Sequence, residues 1–552
     1  MPSRRILLAY SVVALIGLGR VAATDRVFSE VLDEPVHILA GFEWLKGIPY
    51  TMDPSHPPLA RIVAGIPLVM AGMQTSEGDP VPRGNSLLYW HNRYERNLAR
   101  ARLPMLLFLL IGMIATAAWT ARYFGHVAGV LAMAMYASLP PLLGHTGLVT
   151  TDAPVAAMMA VALLVFDWWL DAATWKRSIV LGIAIGLGCL SKYSFLVFFP
   201  VSTVVIVLAR WLCVGSALSR PTSRAEPGPA ESRPHTQGSH YLGIFASVVI
   251  AFLVAFAVIW GGYKFEFDTL EHASHYPYGI STVFVPKSMA QKALWFDAHV
   301  KVPAPLFITG LGMVKEHNKR GHESFLLGEY RTMGWWYYFP VLFFFKTPLP
   351  FLALALIGTI LIAHRAREAL VLALPPIAMM LSVLGTHINI GVRHILPIYP
   401  PLCAVAAFAV LAMWKNARAR IAAVLLLGWL FVGVALAHPD YMAWFNEAAG
   451  KHPERIAVDS NLDWGQDWLR FAHVVHKKHI DFVYLLFNGN ILLQFHDVYG
   501  DALKPGFRKP GWYGVSLQAL TMSPESRRGA WKWLDRYPYE MVGKAIRLYH
   551  VP

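Results

Sequence analysis

Apolar runs of about 17–25 residues, each long enough to cross a bilayer as a helix, recur through residues 6–437 and are parted by short polar or basic stretches. The runs fall at 6–23, 103–121, 126–143, 153–171, 241–262, 347–363, 369–386, 396–414 and 420–437. A further run, 178–212, is too long for one crossing; Ser191-Lys192-Tyr193-Ser194 interrupts it, so it divides into two with Lys192 at the turn. The pattern therefore predicts about eleven spans. Arg20 sits where a signal peptidase needs small neutral residues, so the first run is read as an uncleaved span.

Between the runs, 24–100 forms a large loop, 214–240 is rich in Pro, Ser and Arg and reads as flexible, and 263–340 is a long polar and aromatic loop. Hydropathy drops after His438, and 438–552 reads as a soluble mixed α/β tail with strands at 481–487 and 511–516. The chain thus divides into a membrane domain, 1–437, and the tail.

Within the first loop, Asp33-Glu34-Pro35 opens a helix whose Val36, Ile38, Leu39, Phe42 and Leu45 share one side, and which Gly47 and Pro49 end. It is expected to lie on the membrane, as is a second helix from Pro58 to Gly72. Asp33 and Glu34 either cap the helix or face a ligand, since acids beside a span are costly unless they meet water or a partner.

Composition agrees with a multi-span membrane protein: hydrophobic residues are 56% of 552, and charged residues only 15%. The net charge of +14 does not mark a nucleic-acid binder, because the basic residues form short clusters between apolar runs. Cys189, Cys213 and Cys403 lie in or beside apolar segments without metal spacing, and read as small core residues. With the N-terminus inside, the loops carrying Arg4/Arg5, Arg122, Lys176/Arg177, Arg220/Arg224/Arg233, Arg365/Arg367 and Lys415/Arg418/Arg420 all fall inside, as the positive-inside rule asks. An odd span count then places the tail outside, and gathers Asp33, Glu34, His56, His145, Asp152, Lys192, His387, Arg393 and His394 on the outer face.

Asp152 opens a span and either caps it or joins Asp33 in a site. Lys192 has no acid nearby in sequence, and Asn389-Ile-Gly391-Val-Arg393-His394 puts basic residues against the inside bias, so both point to an anionic ligand; Lys346-Thr347-Pro348 is a weaker case. Glu34-x-x-His37 has the spacing of half a di-iron site, but no second copy occurs. Gly182-x-x-x-Gly186-x-Gly188 lies within a span and reads as helix packing. Carboxylates, a lysine and an arginine at one face suit a lipid-phosphate sugar donor: cations stabilise the leaving phosphate, and a carboxylate takes the acceptor's proton.

Asp33-Glu34 followed by His56-Pro57-Pro58-Leu59 resembles the GT-C membrane glycosyltransferases, in their protein O-mannosyltransferase-like and aminoarabinose-transferase-like branch. The similarity continues through Thr150-Thr151-Asp152-Ala-Pro154, Ser191-Lys192, Trp335-Trp336-Tyr-Tyr-Phe-Pro340, Phe345-Lys346-Thr347-Pro348 and Asn389-Ile-Gly-Val-Arg393-His394. Asp459-Ser-Asn461-Leu-Asp463-Trp464-Gly465-Gln466-Asp467 looks like the tail of bacterial members.

The resemblance implies a mostly α, polytopic GT-C-type bundle and inverting transfer from an isoprenyl-phosphate sugar to an acceptor glycan, lipid or protein outside a bacterial inner membrane. It makes Asp33 the base, with Asp152 supporting the acceptor or the first loop, and Lys192, Arg393, His394 and Lys346 near the donor phosphate. Glu34 and His56 either orient Asp33 or hold a divalent metal ion, with His145 in the same supporting set; these readings stay open. The tail departs from the eukaryotic mannosyltransferases, which puts protein as acceptor in doubt. The alternatives are a flippase of lipid-linked sugars and a non-catalytic isoprenyl-lipid-binding assembly protein.

Overall fold

The computed structural model of the chain describes residues 2–50, 52–218, 237–274 and 279–552. Every predicted apolar run is helical, with ends displaced by a few residues. Among the described residues, seven helices are long and apolar enough to cross a membrane, or eight counting a bent pair as one, against the eleven expected. The difference has three sources. The runs at 103–121 and 126–143 join without a gap in the stretch Tyr94–Tyr136, yet Gly125 at φ 81° turns the chain back there and the two halves pack side by side: a Cβ on Gly129 would stand 2.8 Å from the Ala117 carbonyl oxygen. Trp175–Ser191 has 17 residues, and Leu370–Val383 has 14, about 21 Å at 1.5 Å per residue. Finally, Tyr338–Lys346 and Leu349–Arg365 meet at a 114° bend, where Pro348 lacks the N–H that would continue the helix.

Helix starts follow local chemistry: Thr174 accepts from the Arg177 N–H, and Asn416 from those of Arg418 and Ala419. Gly182 and Gly186 face the helix Gln237–Gly262, with room for no side chain, as the packing reading requires. Cys189 and Cys403 are buried and free. The centre of the predicted flexible loop, 219–236, lies outside the described residues, while 214–218 and 237–240 extend the flanking helices.

The first loop folds into four helices, Glu34–Leu45, Leu59–Met70, Pro80–Leu88 and Tyr94–Arg102. The first does not lie open on a surface, as its amphipathic pattern suggested. Ile38 and Leu39 are wholly buried, in a core shared with Ala60, Ala64 and Leu68 and with Trp468 and Phe471 of the tail. The cause is a close crossing: a Cβ on Gly41 would stand 1.8 Å from the Arg61 carbonyl oxygen, so only glycine lets these two helices touch. Leu59–Met70 keeps an apolar edge outward, with Met70 82% exposed.

Strands β1 (Phe267–Thr269) and β2 (Lys301–Pro303), and β3 (Ser324–Leu326) and β4 (Glu329–Arg331), form two small antiparallel pairs in the long loop. The tail adds β5 (Val483–Leu486), β6 (Gly500–Ala502), β7 (Gly511–Ser516), β8 (Tyr539–Val542) and β9 (Ile546–Val551) in the order β6-β5-β7-β9-β8. β5 runs parallel to both its neighbours, and the β7–β9–β8 side is antiparallel. Alternation along β7 and β9 sends Tyr513, Val515, Tyr549 and Val551 into one core with Leu534.

Candidate active site

Four charged residues from four distant segments meet at the ends of their elements. Asp33 stands at the start of Glu34–Leu45 but makes no capping bond with its side chain. Its Oδ2 instead accepts from Nη1 of Arg393 at 3.3 Å, and the side chain is 36% exposed. The same Nη1 lies 3.5 Å from Oδ2 of Asp152, whose side chain is 1% exposed. Lys192, directly after Trp175–Ser191, donates Nζ to the other Asp152 oxygen. Arg393 is held in a 3₁₀ stretch, Val392–Ile398, and its Cζ lies 4.1 Å from the centre of the Trp464 ring. Two cations and two carboxylates thus balance, with Asp33 alone of the four well open to solvent.

His394 and His145 border this quartet. The His394 ring stacks near Phe339, with centroids 6.3 Å apart. His145 is 1% exposed, and burial pushes its imidazole down to about 3, so it is neutral at pH 7.

The structure does not bring Glu34, Lys346 or His56 into the quartet. Glu34 is fully buried: Arg102 grips it through Nε at 2.9 Å and Nη2 at 2.6 Å, while the backbone N–H groups of Val31 and Val149 donate to the same two oxygens. Arg102 also donates to the carbonyls of Phe28 and Ser29. Burial pushes the nearby Asp25 and Glu30 carboxyls up to about 7 and about 8, so Glu34 is the principal anion that Arg102 meets. Lys346 is 1% exposed, with Nζ on the carbonyls of Met442 and Asn461, both at 2.7 Å. Its place at the outer face suggested a phosphate ligand, yet carbonyls brought in from Met442 and Asn461 take its protons.

His56 belongs to a neighbouring network. Its Nδ1 meets Asp53 Oδ2 at 2.8 Å, and its ring stands edge-on to His37 at 4.9 Å. Arg61, wholly buried, donates to Asp53 (2.5 Å), His37 (2.7 Å) and the Tyr50 hydroxyl (2.7 Å). Burial alone would raise the Asp53 carboxyl, but His56 and Arg61 outweigh it and hold the group well below the usual carboxylate range. Glu34 and His56 share no partner, and among the described residues no group of three or more His, Cys, Asp or Glu is placed to hold a metal ion. The donor set therefore does not fit the metal alternative.

Sequence reasoning did not single out Arg61, Arg102 or Asp53, and quoted Trp464 and Asp459 only as part of a tail motif. A lone arginine inside the apolar segment Leu59–Met70 was the available signal for Arg61.

Residues 94–217 match the family model described as dolichyl-phosphate-mannose-protein mannosyltransferase. The match bears out the resemblance to GT-C membrane glycosyltransferases of the protein O-mannosyltransferase type, over a segment that holds Asp152 and Lys192. No curated protein matches the chain. Among solved structures, the chain is similar to ArnT from Cupriavidus metallidurans bound to undecaprenyl phosphate, at 14% identity and a TM-score of 0.47, covering 99% of this chain and 98% of that one. It is similar to the archaeal oligosaccharyltransferase AglB from Archaeoglobus fulgidus at 14% identity and a TM-score of 0.42, covering 78% and 56%. Similarity to the S. cerevisiae Pmt1-Pmt2 protein O-mannosyltransferase complex covers 48% and 34%, at 18% identity and a TM-score of 0.31.

The Glu34–Arg102 pair yields a stability test. Arg102→Met keeps bulk but strands the buried Glu34 carboxylate, which is expected to cost about 3–5 kcal/mol. Thermal unfolding of the purified protein in detergent should show a clearly lower Tm; an unchanged Tm would contradict the structural role.

Proposed function

We propose that this chain is a membrane glycosyltransferase that moves a sugar from an isoprenyl-phosphate donor to an acceptor hydroxyl, with inversion at the anomeric carbon. The observation that carries the reading is the Arg393 guanidinium set between Asp33 and Asp152, with Lys192 on the far side of Asp152. The donor phosphate engages Arg393 and Lys192. The acceptor oxygen attacks the anomeric carbon as Asp33 takes its proton, and the carbon–oxygen bond to phosphate breaks. The bonding pair leaves on the isoprenyl phosphate, whose charge the two cations stabilise. Asp152 holds both cations in place, and Glu34 fixes the helix that presents Asp33.

Asp33→Asn keeps shape but removes basicity. Transfer from a defined isoprenyl-phosphate sugar should fall by ~10²–10⁴, with donor affinity kept or raised and Tm little changed. Glu34→Gln should act through Tm instead. Near-normal turnover in Asp33→Asn would remove it as base, and transport of lipid-linked sugar without transfer would favour a flippase.

Lys192→Ala and Arg393→Ala should each weaken isoprenyl-phosphate binding strongly, on the order of 2–5 kcal/mol for a desolvated pair that loses one partner. Undiminished affinity in both would refute the phosphate assignment.

We further infer a multi-pass protein of a bacterial inner membrane, with the site and tail on the extracytoplasmic side. The support is the run of basic inside loops. An alkaline phosphatase fusion after residue 440 should be active and one within 214–240 inactive; the reverse pattern would overturn the sidedness.

A further inference from the structure

The tail loop 459–466 touches both halves of the charged quartet. On one side it reaches the chain just before Asp33: the Ser29 N–H donates to Gln466 O at 2.9 Å, the Ser29 hydroxyl to Gly465 O at 2.8 Å, and the Leu32 N–H to Trp464 O at 3.2 Å. On the other side it reaches the chain around Arg393. Asn461 Oδ1 accepts from the Val392 N–H at 2.9 Å, and the Ser460 hydroxyl donates to Ile390 O at 2.6 Å.

One of its side chains, Trp464, meets Arg393 itself, and a second, Asp459, lies within electrostatic reach of it. Trp464 is 3% exposed and presents its ring face to the guanidinium at 4.1 Å, with the edge of His145 on the same ring at 6.3 Å. Asp459 is half-buried, and its backbone is left-handed at φ 58°, a conformation that costs a non-glycine residue energy and that marks functional sites when the surroundings impose it. The surroundings do so here: the Asp459 N–H donates to Gln518 Oε1 at 2.6 Å, and Asp459 Oδ1 accepts from the Ser460 N–H at 2.5 Å. Burial pushes its carboxyl up to about 6, against the attraction of Arg393, with Asp33 adding to the rise. Tyr338 and Asp463 are also within electrostatic reach of Asp459.

We propose that the tail loop is a wall of the phosphate site, with Trp464 the residue that positions the Arg393 guanidinium and Asp459 a third carboxylate in its surroundings. The proposal rests on the reading of Arg393 as a phosphate ligand. A buried ring face fixes the plane of a guanidinium that two carboxylates would otherwise leave free to turn, and thereby fixes which N–H groups face an incoming phosphate.

The test uses the full-length protein in detergent with undecaprenyl phosphate as probe. Trp464→Met keeps apolar bulk without a ring and should lower affinity about tenfold, while Trp464→Phe should stay within about threefold. Equal losses in both, or none in either, would overturn the positioning role. The second arm is pH. Wild type should bind as Asp459→Asn does at pH 5, where Asp459 is protonated, and fall behind it as pH rises through about 6 and an anion appears within electrostatic reach of Arg393. The gap should reach about tenfold by pH 8, corresponding to one unit of linked pKa change. The phosphate's own second ionisation is common to both proteins and cancels in the ratio. A ratio constant with pH would overturn the role of Asp459, and this arm decides the proposal should Trp464→Met fail to fold. Arg393→Ala separates the layers: wild-type affinity there overturns the phosphate reading, whereas lost affinity with intact Trp464→Met binding overturns only the loop.

Discussion

A guanidinium that is 8% exposed cannot stand without anions, and the architecture answers that constraint at Arg393. Asp33 begins one helix, Asp152 begins another, Lys192 ends a third, and Arg393 lies in a 3₁₀ stretch before a fourth. No two of the four are near in sequence, so the helix ends must converge for any of the charges to be compensated. Removing Arg393 would leave the buried Asp152 with one cation and Asp33 without its guanidinium partner. The quartet therefore constrains the packing as much as the packing constrains the quartet.

The same logic repeats beneath it. Adjacent acids at a helix start point about 100° apart, so Asp33 and Glu34 cannot serve one ligand. Glu34 turns inward to Arg102 and ties the first loop to the helix Tyr94–Arg102. Arg61 does the same for the turn at 50–56, through Tyr50, His37 and Asp53. Charges consumed in these two nodes hold the loop rigid, and the charges left over define the site. The Gly41 crossing sets how closely the nodes can sit, because any side chain there would separate the two helices that carry them.

Periodicity made the helical segments legible, and alternation made β7 legible at Gly511–Ser516. The distribution of basic loops along the chain is enough to gather Asp33, Asp152, Lys192 and Arg393 on one face. What it did not show is how charges pair across the fold. Lys192 looked like a cation without an acid, yet its partner is Asp152, forty residues earlier in the chain. Lys346 looked equivalent to Lys192, but backbone carbonyls from the tail and the 438–446 turn take its protons, and carbonyl positions leave no mark in a residue string. The number of long spans was overestimated for a related reason: apolar composition does not reveal that Leu370–Val383 ends after 14 residues.

On the proposed reading, the balance of the quartet decides which contact a phosphate displaces. An entering phosphodiester brings one negative charge to a site whose cations are already paired. Asp152 is buried and held by Lys192 as well as Arg393, so moving it would strand an anion out of water. Asp33 is 36% exposed and makes a single 3.3 Å contact with Arg393, so it can give way to solvent or to an acceptor hydroxyl at little cost. Phosphate on Arg393 therefore releases Asp33 rather than Asp152. A carboxylate freed from a guanidinium accepts a proton more readily than one still paired with it. Donor binding and base activation thus become one event at one arginine, which orders the reaction with the donor first.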